Sequence, residues 1–452
     1  MSPDPTPFAM YLQTSGLTPE KLARELNRRH GAGTVGQKSA FYWKRPGKAP
    51  KEPALQVAVA RLLGDKIGRD LAVTDLWPHL ETDAVVRADD GLDRPWTQEG
   101  TRSAIAEIIR RPLMDARTLT PLIGSALTRN ALDWLLQEPP PLREQLDGAR
   151  VSSTMLDVID ARIGDLRRLD DEQGGGQMLL DLAMHDLRWV GGLIKNGTYD
   201  TAAARRLHAA TAELAQFAGW IAFDSGDHPE AQRLWMVALR AAHTVGDDLF
   251  GAHVLSSLGY QSVWTNHAED AVVILRTGRA GIRRHRGRVY ALLASRQARG
   301  HALLGQEREM QASLEAAAAA AANGAEADPK WSYWITDAVL TGDRGRSWLD
   351  VGRPDRAVRE LESGLAAFGT SQPRNRALHH TSIALAYSTQ GEYDAAAAAT
   401  HQALDLANAL ASDRIYARIA ELAPALSATD AAPAVEAVAR VRDTLSAPRG
   451  VR

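Results

Sequence analysis

The sequence of 452 residues predicts an all-α protein, with a small basic helical domain at the N-terminus followed by an array of helical hairpins. Three observations support this prediction. Alanine-rich, helix-favouring stretches dominate the chain, whereas runs of β-branched residues are few. In the second half, small residues recur at intervals of about 39 to 47 residues, which is typical of repeat arrays. The first 70 residues concentrate positive charge.

Five short helices are predicted in the N-terminal domain. Thr18 caps the second helix and Pro19 occupies its first position. The third lies within GQKSAFYWKRPGK, where polar residues come first, aromatics next and basic residues last. Its Ala40 and Trp43 are spaced to face a small core, and Phe41 can face either way. The five helices are predicted at residues 7–15, 19–30, 36–48, 54–63 and 71–77.

Charge separates this domain from the rest of the chain. Residues 1–70 hold twelve basic and six acidic side chains, a net charge of +6, whereas the whole chain carries −2 and the remainder therefore −8. Such a concentration on a small domain favours a polyanionic partner. The alternative is a solvated basic surface without a partner.

The stretch from Leu17 to Pro78 resembles the helix-turn-helix domains at the N-terminus of many actinobacterial regulators. The matching segments are GLTPEKLARELN, SAFYWKRPGKAPK and the closing DLW before Pro78. The turn from Asn27 to Val35 is longer than the usual three or four residues. If the third helix enters a major groove, the resemblance implies base contacts first and phosphate contacts after them. The predicted DNA-binding residues are Gln37, Lys38, Ser39, Tyr42, Lys44, Arg45, Lys48 and Lys51.

Weaker patterns flank the central array. Residues 81–97 are acidic and irregular and predict a hinge. The stretch 151–212 reads as an N-terminal cap or as degenerate repeats, and two prolines interrupt the final helical pair. The predicted organisation is a DNA-binding domain at 1–80, a linker with helices at 81–150, the cap at 151–212, repeats at 213–411 and C-terminal capping helices and tail at 412–452.

Five turn positions set the register of the array, namely Gly226, Asn266, Gly305, Gly352 and Gly391. Seven residues before each comes a small residue, Gly219 in the first unit, and nine after each comes a residue that is usually bulky, such as Trp235. This pattern resembles the tetratricopeptide repeat. The resemblance implies that small residues let the two helices of a hairpin approach closely, while a bulky residue on the second helix packs against the next unit. By this register Trp235 and Trp348 are packing residues.

The resemblance also implies a concave face lined by the first helix of each hairpin. Aromatics beside arginines and carboxylates on that face suit a peptide or a small amphipathic ligand. The alternative is that several of these aromatics form the core between repeats. The predicted effector-binding residues are Trp220, Phe223, Asp224, Tyr260, Trp264, Arg299, Arg346 and Asp350.

Several function classes lack support in the sequence. The chain has no cysteine, which excludes disulfides and thiolate metal sites and favours the cytoplasm. No catalytic motif, phosphate loop or secretory signal is present, so we expect no enzyme activity and no cofactor. His285, His379 and His380 have no partners at a metal-ligand spacing, so no metal site is predicted. The sequence has no run of about 18 uninterrupted apolar residues, so no membrane span is expected.

In architecture the chain resembles the peptide-responsive quorum regulators of Gram-positive bacteria. The resemblance implies a DNA-binding transcriptional regulator whose repeat array binds a peptide, small-molecule or protein effector. Dimerisation is expected, since helix-turn-helix proteins commonly pair across two half-sites. The alternative function is a tetratricopeptide scaffold for protein–protein interaction that does not bind DNA.

Overall fold

The computed structural model shows two compact units, each described separately. Unit 1 comprises Met1–Asp93 and Arg110–Asn130, and unit 2 comprises Arg94–Ile109 and Ala131–Arg452. The predicted all-α class is confirmed for the described residues, where the named strands are just two residues long. The structure describes residues 6–30, 35–36, 38–50, 53–67, 71, 73–78, 94–110, 121–173, 175–323, 328–370, 372–408, 410 and 412–446.

Unit 1 is built around a small aromatic core. The Phe8 ring stacks on Trp77 with centroids 5.2 Å apart and meets the edge of Trp43 at 6.3 Å. Because Pro46 and Gly47 follow closely, the third helix is shorter than the segment predicted for it. The helices of residues 1–93 are α1 Pro7–Thr14, α2 Pro19–His30, α3 Ser39–Trp43, α4 Pro53–Ile67 and α5 Val73–Leu76.

Two features fix the position of α3. Ala40 and Trp43 are buried, as predicted, whereas Phe41 and Tyr42 are exposed by 45% and 46%. The side chain of Asn27 donates from Nδ2 to the carbonyl of Val35 and accepts from the Val35 amide, both at 2.8 Å. One amide side chain therefore closes the base of the enlarged turn between α2 and α3.

Unit 2 consists of successive helices with one very short parallel strand pair in its described part. Strand β1 Ala149–Arg150 pairs with β2 Gly197–Thr198. A 3-10 helix, Lys330–Trp334, precedes α16. Helices α6 Gln98–Arg110 and α7 Ser125–Leu136 each have residues in both units. The remaining helices are α6 Gln98–Arg110, α7 Ser125–Leu136, α8 Ser153–Gln173, α9 Gln177–Asn196, α10 Thr201–Asp224, α11 His228–Val245, α12 Asp248–Trp264, α13 Ala268–Gly281, α14 Arg288–Leu303, α15 Glu307–Asn323, α16 Asp337–Asp350, α17 Pro354–Phe368, α18 Pro373–Gln390, α19 Tyr393–Ala407, α20 Asp413–Ala420, α21 Leu422–Leu426 and α22 Ala432–Ser446.

Part of the segment predicted as a linker packs within unit 2. The guanidinium of Arg240 lies 4.7 Å from the ring centroid of Trp96, and the hydroxyls of Thr101 and Thr244 are 2.9 Å apart. Of the predicted linker, residues 81–93 and 111–120 lie outside the described residues, residues 110 and 121–130 belong to unit 1, and residues 94–109 and 131–150 belong to unit 2.

Helices α10 to α19 form five successive hairpins in the described part of residues 201–407. Each of the five sequence-predicted turn positions has a left-handed backbone conformation, with φ between 61° and 80°. Four of these positions are glycine, which adopts positive φ without steric cost. The fifth is Asn266, with φ 61°, and asparagine is among the residues that tolerate this conformation. Local backbone chemistry thus explains why small residues recur at these turns.

The small residues before the turns permit close contact between the two helices of one hairpin. A Cβ added at Gly219 would lie 2.6 Å from the indole of Trp235, and one added at Gly259 would lie 2.4 Å from Cγ of Leu275. At Gly345 the corresponding distance to Leu361 is 2.6 Å. In these three hairpins the bulky residue of the second helix therefore packs onto the glycine of the first helix. Its packing against the next unit stays a prediction.

Ionic contacts join the end of the helical array to its beginning. Arg414 on α20 donates to Asp224 on α10 at 2.9 Å, and Arg374 on α18 donates to Asp170 on α8 at 2.8 Å. These partners are separated by 190 and 204 residues in sequence.

Among the described helices, none has the length and hydropathy needed to cross a membrane.

Candidate functional site

Unit 2 contains a cavity of about 160 Å³ that is partly open to solvent. The first helix of each of the five hairpins contributes to its wall, together with α8, the 3-10 helix and α20. A single buried water needs only about 10–15 Å³ on the same scale. The cavity therefore has room for an organic ligand.

Aromatic rings form much of the cavity wall. Trp220 stacks on Tyr260 with centroids 5.9 Å apart, and His253 stacks on Trp331 at 4.8 Å. Trp220, Trp331 and Trp334 are only half-buried although all three line the cavity. They present apolar surface to a ligand without requiring a rearrangement of the wall.

Five arginines line the same cavity, and four of them form an ion pair with a carboxylate. The pairs are Arg167 with Glu213 at 2.6 Å, Arg346 with Asp343 at 3.2 Å, Arg374 with Asp170 at 2.8 Å and with Asp224 at 3.3 Å, and Arg414 with Asp224 at 2.9 Å. Buried guanidinium groups usually have such partners, because desolvation of an isolated charge costs several kcal/mol.

Arg296 on α14 is the exception among these five. Its side chain is 3% exposed, and Nη1 donates to the carbonyl and hydroxyl oxygens of Ser256 at 2.9 and 3.0 Å. Its guanidinium carbon lies 4.3 Å from the centroid of Tyr260. No carboxylate oxygen of the described residues lies within 4.0 Å of it, and Nε has no hydrogen-bond partner among them.

The groups around Arg296 reflect an excess of positive potential. Burial, reinforced by the charges of Arg296 and Arg167, lowers the pKa of His253 to about 3. Burial alone would raise the pKa of Tyr260, but nearby arginines, Arg414 foremost, lower it below its ordinary value. The lowered pKa of the Tyr260 phenol indicates that the lining aspartates do not fully offset the arginines around it.

His379 occupies a tight position beside the cavity. Burial and the charge of Arg346 lower its pKa to about 3, and Nε2 has no hydrogen-bond partner among the described residues. A Cβ at Gly342 would lie 2.2 Å from this nitrogen, so the glycine makes room for the imidazole. The structure describes no cluster of three or more histidine, aspartate or glutamate side chains placed to hold a metal ion.

The predicted effector-binding residues fall into two groups. Trp220, Tyr260 and Arg346 line the cavity. The other five are not among the lining residues, and they contact other protein groups. Arg299 donates to Asp350 at 3.0 Å and lies 5.2 Å from the ring of Trp264, while Phe223 and Asp224 are buried.

Sequence reasoning missed several residues of the wall. Arg296 lies one helical turn before the predicted Arg299, and it lines the cavity whereas Arg299 does not. Trp331 and Trp334 come from the segment KWSYW, inside the repeat with the longest spacing, so an aromatic-rich insertion was the available signal. Arg374 and Arg414 reach the cavity from helices late in the chain, and no local pattern indicates this.

Of the predicted DNA-binding residues that the structure describes, Lys38 immediately precedes α3, Ser39 and Tyr42 lie on it, and the others follow it. Lys38, Tyr42, Lys44, Arg45 and Lys48 are exposed, and Ser39 is half-buried. The guanidinium of Arg45 and the ammonium of Lys48 lie 5.8 and 5.5 Å from the ring centroid of Tyr42. Gln37 and Lys51 lie outside the described residues.

The sequence was compared with models of known protein families and with curated proteins, and neither comparison found a match.

Proposed function

We propose that the protein is a cytoplasmic DNA-binding transcriptional regulator. Unit 1 contacts DNA through a helix-turn-helix-like arrangement of α2 and α3, and unit 2 is a tetratricopeptide-like stack that binds an effector in its cavity. A homodimer binding two half-sites is part of the proposal. The observation that carries most weight is an aromatic and cationic cavity on the same chain as an exposed basic helix end.

The DNA-binding part of the proposal is supported by the arrangement of α3. The burial of Ala40 and Trp43 holds one face of the helix in the core, so the opposite face and the basic segment after it remain available. Lys44, Arg45 and Lys48 are exposed and close in sequence, which suits contacts to successive phosphates. The long turn does not leave α3 unattached, because Asn27 bonds to Val35.

The effector-binding part is supported by unit 2. Its five hairpins repeat one register, and the first helix of each supplies residues to one cavity. Ligand pockets combine apolar walls with a few placed polar groups, as this cavity does. A ligand can alter DNA binding if its affinities for two arrangements of the protein differ.

A DNA selection experiment tests the proposal. Genomic fragments are selected with the full chain, and the affinity for an enriched fragment is measured at several salt concentrations. Replacing Lys44, Arg45 and Lys48 by alanine is expected to weaken binding and to reduce the slope of log affinity against log salt by roughly 2–3, since each phosphate contact contributes about 0.9.

The matched control removes three positive charges from unit 2, by alanine at the exposed residues Arg168, Arg308 and Arg359. This variant is expected to retain the wild-type slope. Failure to enrich any sequence, or equal slopes for the two triple variants, would contradict the regulator and favour the scaffold function. A scaffold would retain partner binding without selective binding to DNA.

A further inference from the structure

The unpaired guanidinium of Arg296 restricts what the cavity can bind. Nη1 is held by Ser256, while Nε and Nη2 donate to no group of the described residues. Arg296 is one of the cavity-lining residues, and its guanidinium carbon lies 4.3 Å from the ring centroid of Tyr260 and 5.8 Å from that of Trp334. A buried cation with unused donors matches the acceptor oxygens of an acid group.

The protein carboxylate that could pair with Arg296 already contacts other groups. Asp343 is the carboxylate with the largest favourable electrostatic effect on Arg296, but its oxygens contact Arg346 at 3.2 Å and Ser295 at 3.5 Å. Arg346 has an Nε without a hydrogen-bond partner among the described residues and also lines the cavity. One carboxylate is thus shared between two buried cations, which leaves a net positive charge at this end of the cavity.

The remaining wall defines the other half of the ligand. The half-buried indoles of Trp220, Trp331 and Trp334 expose ring surface within a cavity that also contains the positive charge. Flat apolar surfaces favour a planar aromatic group, because aromatic pairs gain stacking energy in addition to that of area burial. A cavity of about 160 Å³, lined by helices from both ends of unit 2, suits a compact molecule better than an extended peptide.

We propose that the cavity binds an aromatic acid, with its carboxylate or phosphate on Arg296 and its ring against the tryptophans. This inference deepens the proposed function, since it assigns the effector a chemical class. The binding site itself does not require that the protein bind DNA. A titration with ligand therefore tests the inference separately from the DNA selection.

Matched naphthalene derivatives are suitable probes, and calorimetry on the full chain is a suitable measurement. Wild-type protein is titrated with 2-naphthoate, with 2-naphthyl phosphate and with the neutral 2-naphthamide. At least one acid is expected to bind roughly 10- to 100-fold more tightly than the amide, as expected for charge-assisted hydrogen bonds in a buried site. The stronger of the two acids distinguishes a carboxylate effector from a phosphate effector.

The Arg296→Met variant isolates the contribution of the guanidinium. It is expected to bind the acid and the amide with similar affinity, so that the preference for the acid disappears. Because the variant removes a buried cation without a carboxylate partner, the ligand-free protein is expected to unfold at a temperature no lower than wild type. A retained thermal transition excludes loss of fold as the reason for lost binding.

Arg240→Met is the matched control. Arg240 is also a buried arginine, and it likewise contacts a tryptophan face and donates to backbone carbonyls, but it is not among the cavity-lining residues. This variant is expected to retain the preference for the acid. The inference is overturned if wild type binds neither acid at millimolar concentration, if it binds acid and amide equally, or if Arg296→Met retains the preference.

Discussion

Replacing Asp224 by asparagine is expected to lower the free energy of unfolding of unit 2 by about 3–5 kcal/mol, the usual cost of removing one partner from a buried ion pair. The Asp224 carboxylate is 1% exposed, and it contacts the guanidinium groups of Arg414 at 2.9 Å and Arg374 at 3.3 Å. The neutral amide preserves the volume of the side chain but leaves both cations with less compensation. Urea unfolding at neutral pH measures the loss.

The effect is expected to be large because Asp224 joins helices that are distant in sequence. It connects α10 to α18 and α20, so its loss weakens the contact between the beginning and the end of the helical array. Burial alone would raise the pKa of Asp224, but the charges of Arg374 and Arg414 lower it below its ordinary value. Its stabilising contribution is therefore present above about pH 4, the pKa in an unfolded chain, and is lost as the pH falls further.

Asp157→Asn is the control for this prediction. Asp157 also pairs with an arginine, Arg206 at 2.7 Å, but its side chain is 69% exposed and Arg206 has a second partner in Asp160. The control is expected to change stability by no more than about 1 kcal/mol, as is usual for surface pairs. Equal effects of the two substitutions would show that the buried ion pairs do not hold the helical array together.

The stability of unit 2 is expected to fall steeply as the pH decreases from 7 to 5, because three buried histidines remain neutral in the fold. Burial is the first cause at each site, and it lowers the pKa of His208 to about 4 and those of His253 and His379 to about 3. In the unfolded chain these side chains take up protons below about pH 6.5. The contribution to stability is thus complete above that pH and is lost below it, at about 1.4 kcal/mol per pH unit for each histidine.

Unfolding free energies measured at intervals between pH 7 and pH 5 test this expectation. The slope of the unfolding free energy against pH gives the number of protons taken up on unfolding. This number is expected to decrease by about one in each of His208→Gln, His253→Gln and His379→Gln, whatever the effect of the substitution on stability at pH 7. If all three variants retained the wild-type slope, other groups would be responsible for acid sensitivity and the histidines would not be buried as neutral groups.

The parts of the fold that the sequence predicts well depend on local chemistry. Gly226 and Asn266 are recognisable because a left-handed backbone restricts the choice of residue. Gly219 and Trp235 are recognisable as a pair because a helical hairpin brings a fixed spacing into contact. The same holds for Ala40 and Trp43, whose spacing on one helix face predicts their burial.

The cavity is less predictable because its properties depend on contacts between distant segments. Arg296 is distinguished from Arg299 by the position of Asp350, which pairs with one of them and not with the other. The role of Asp224 depends on Arg374 and Arg414, which lie 150 or more residues later in the chain. Periodicity identifies the face on which a residue lies, but it does not identify the partner that neutralises its charge.

The proposal that one chain joins a receptor to a DNA-binding unit can be tested most directly through the coupling between the two. Affinity for a selected DNA fragment is measured by fluorescence anisotropy, with and without a saturating concentration of the naphthalene acid that binds more tightly. Wild-type affinity is expected to change by roughly 5- to 150-fold, the usual range of allosteric coupling, and Arg296→Met is expected to show no change. Identical DNA affinities for the wild-type protein with the acid bound and with the cavity free would contradict the account.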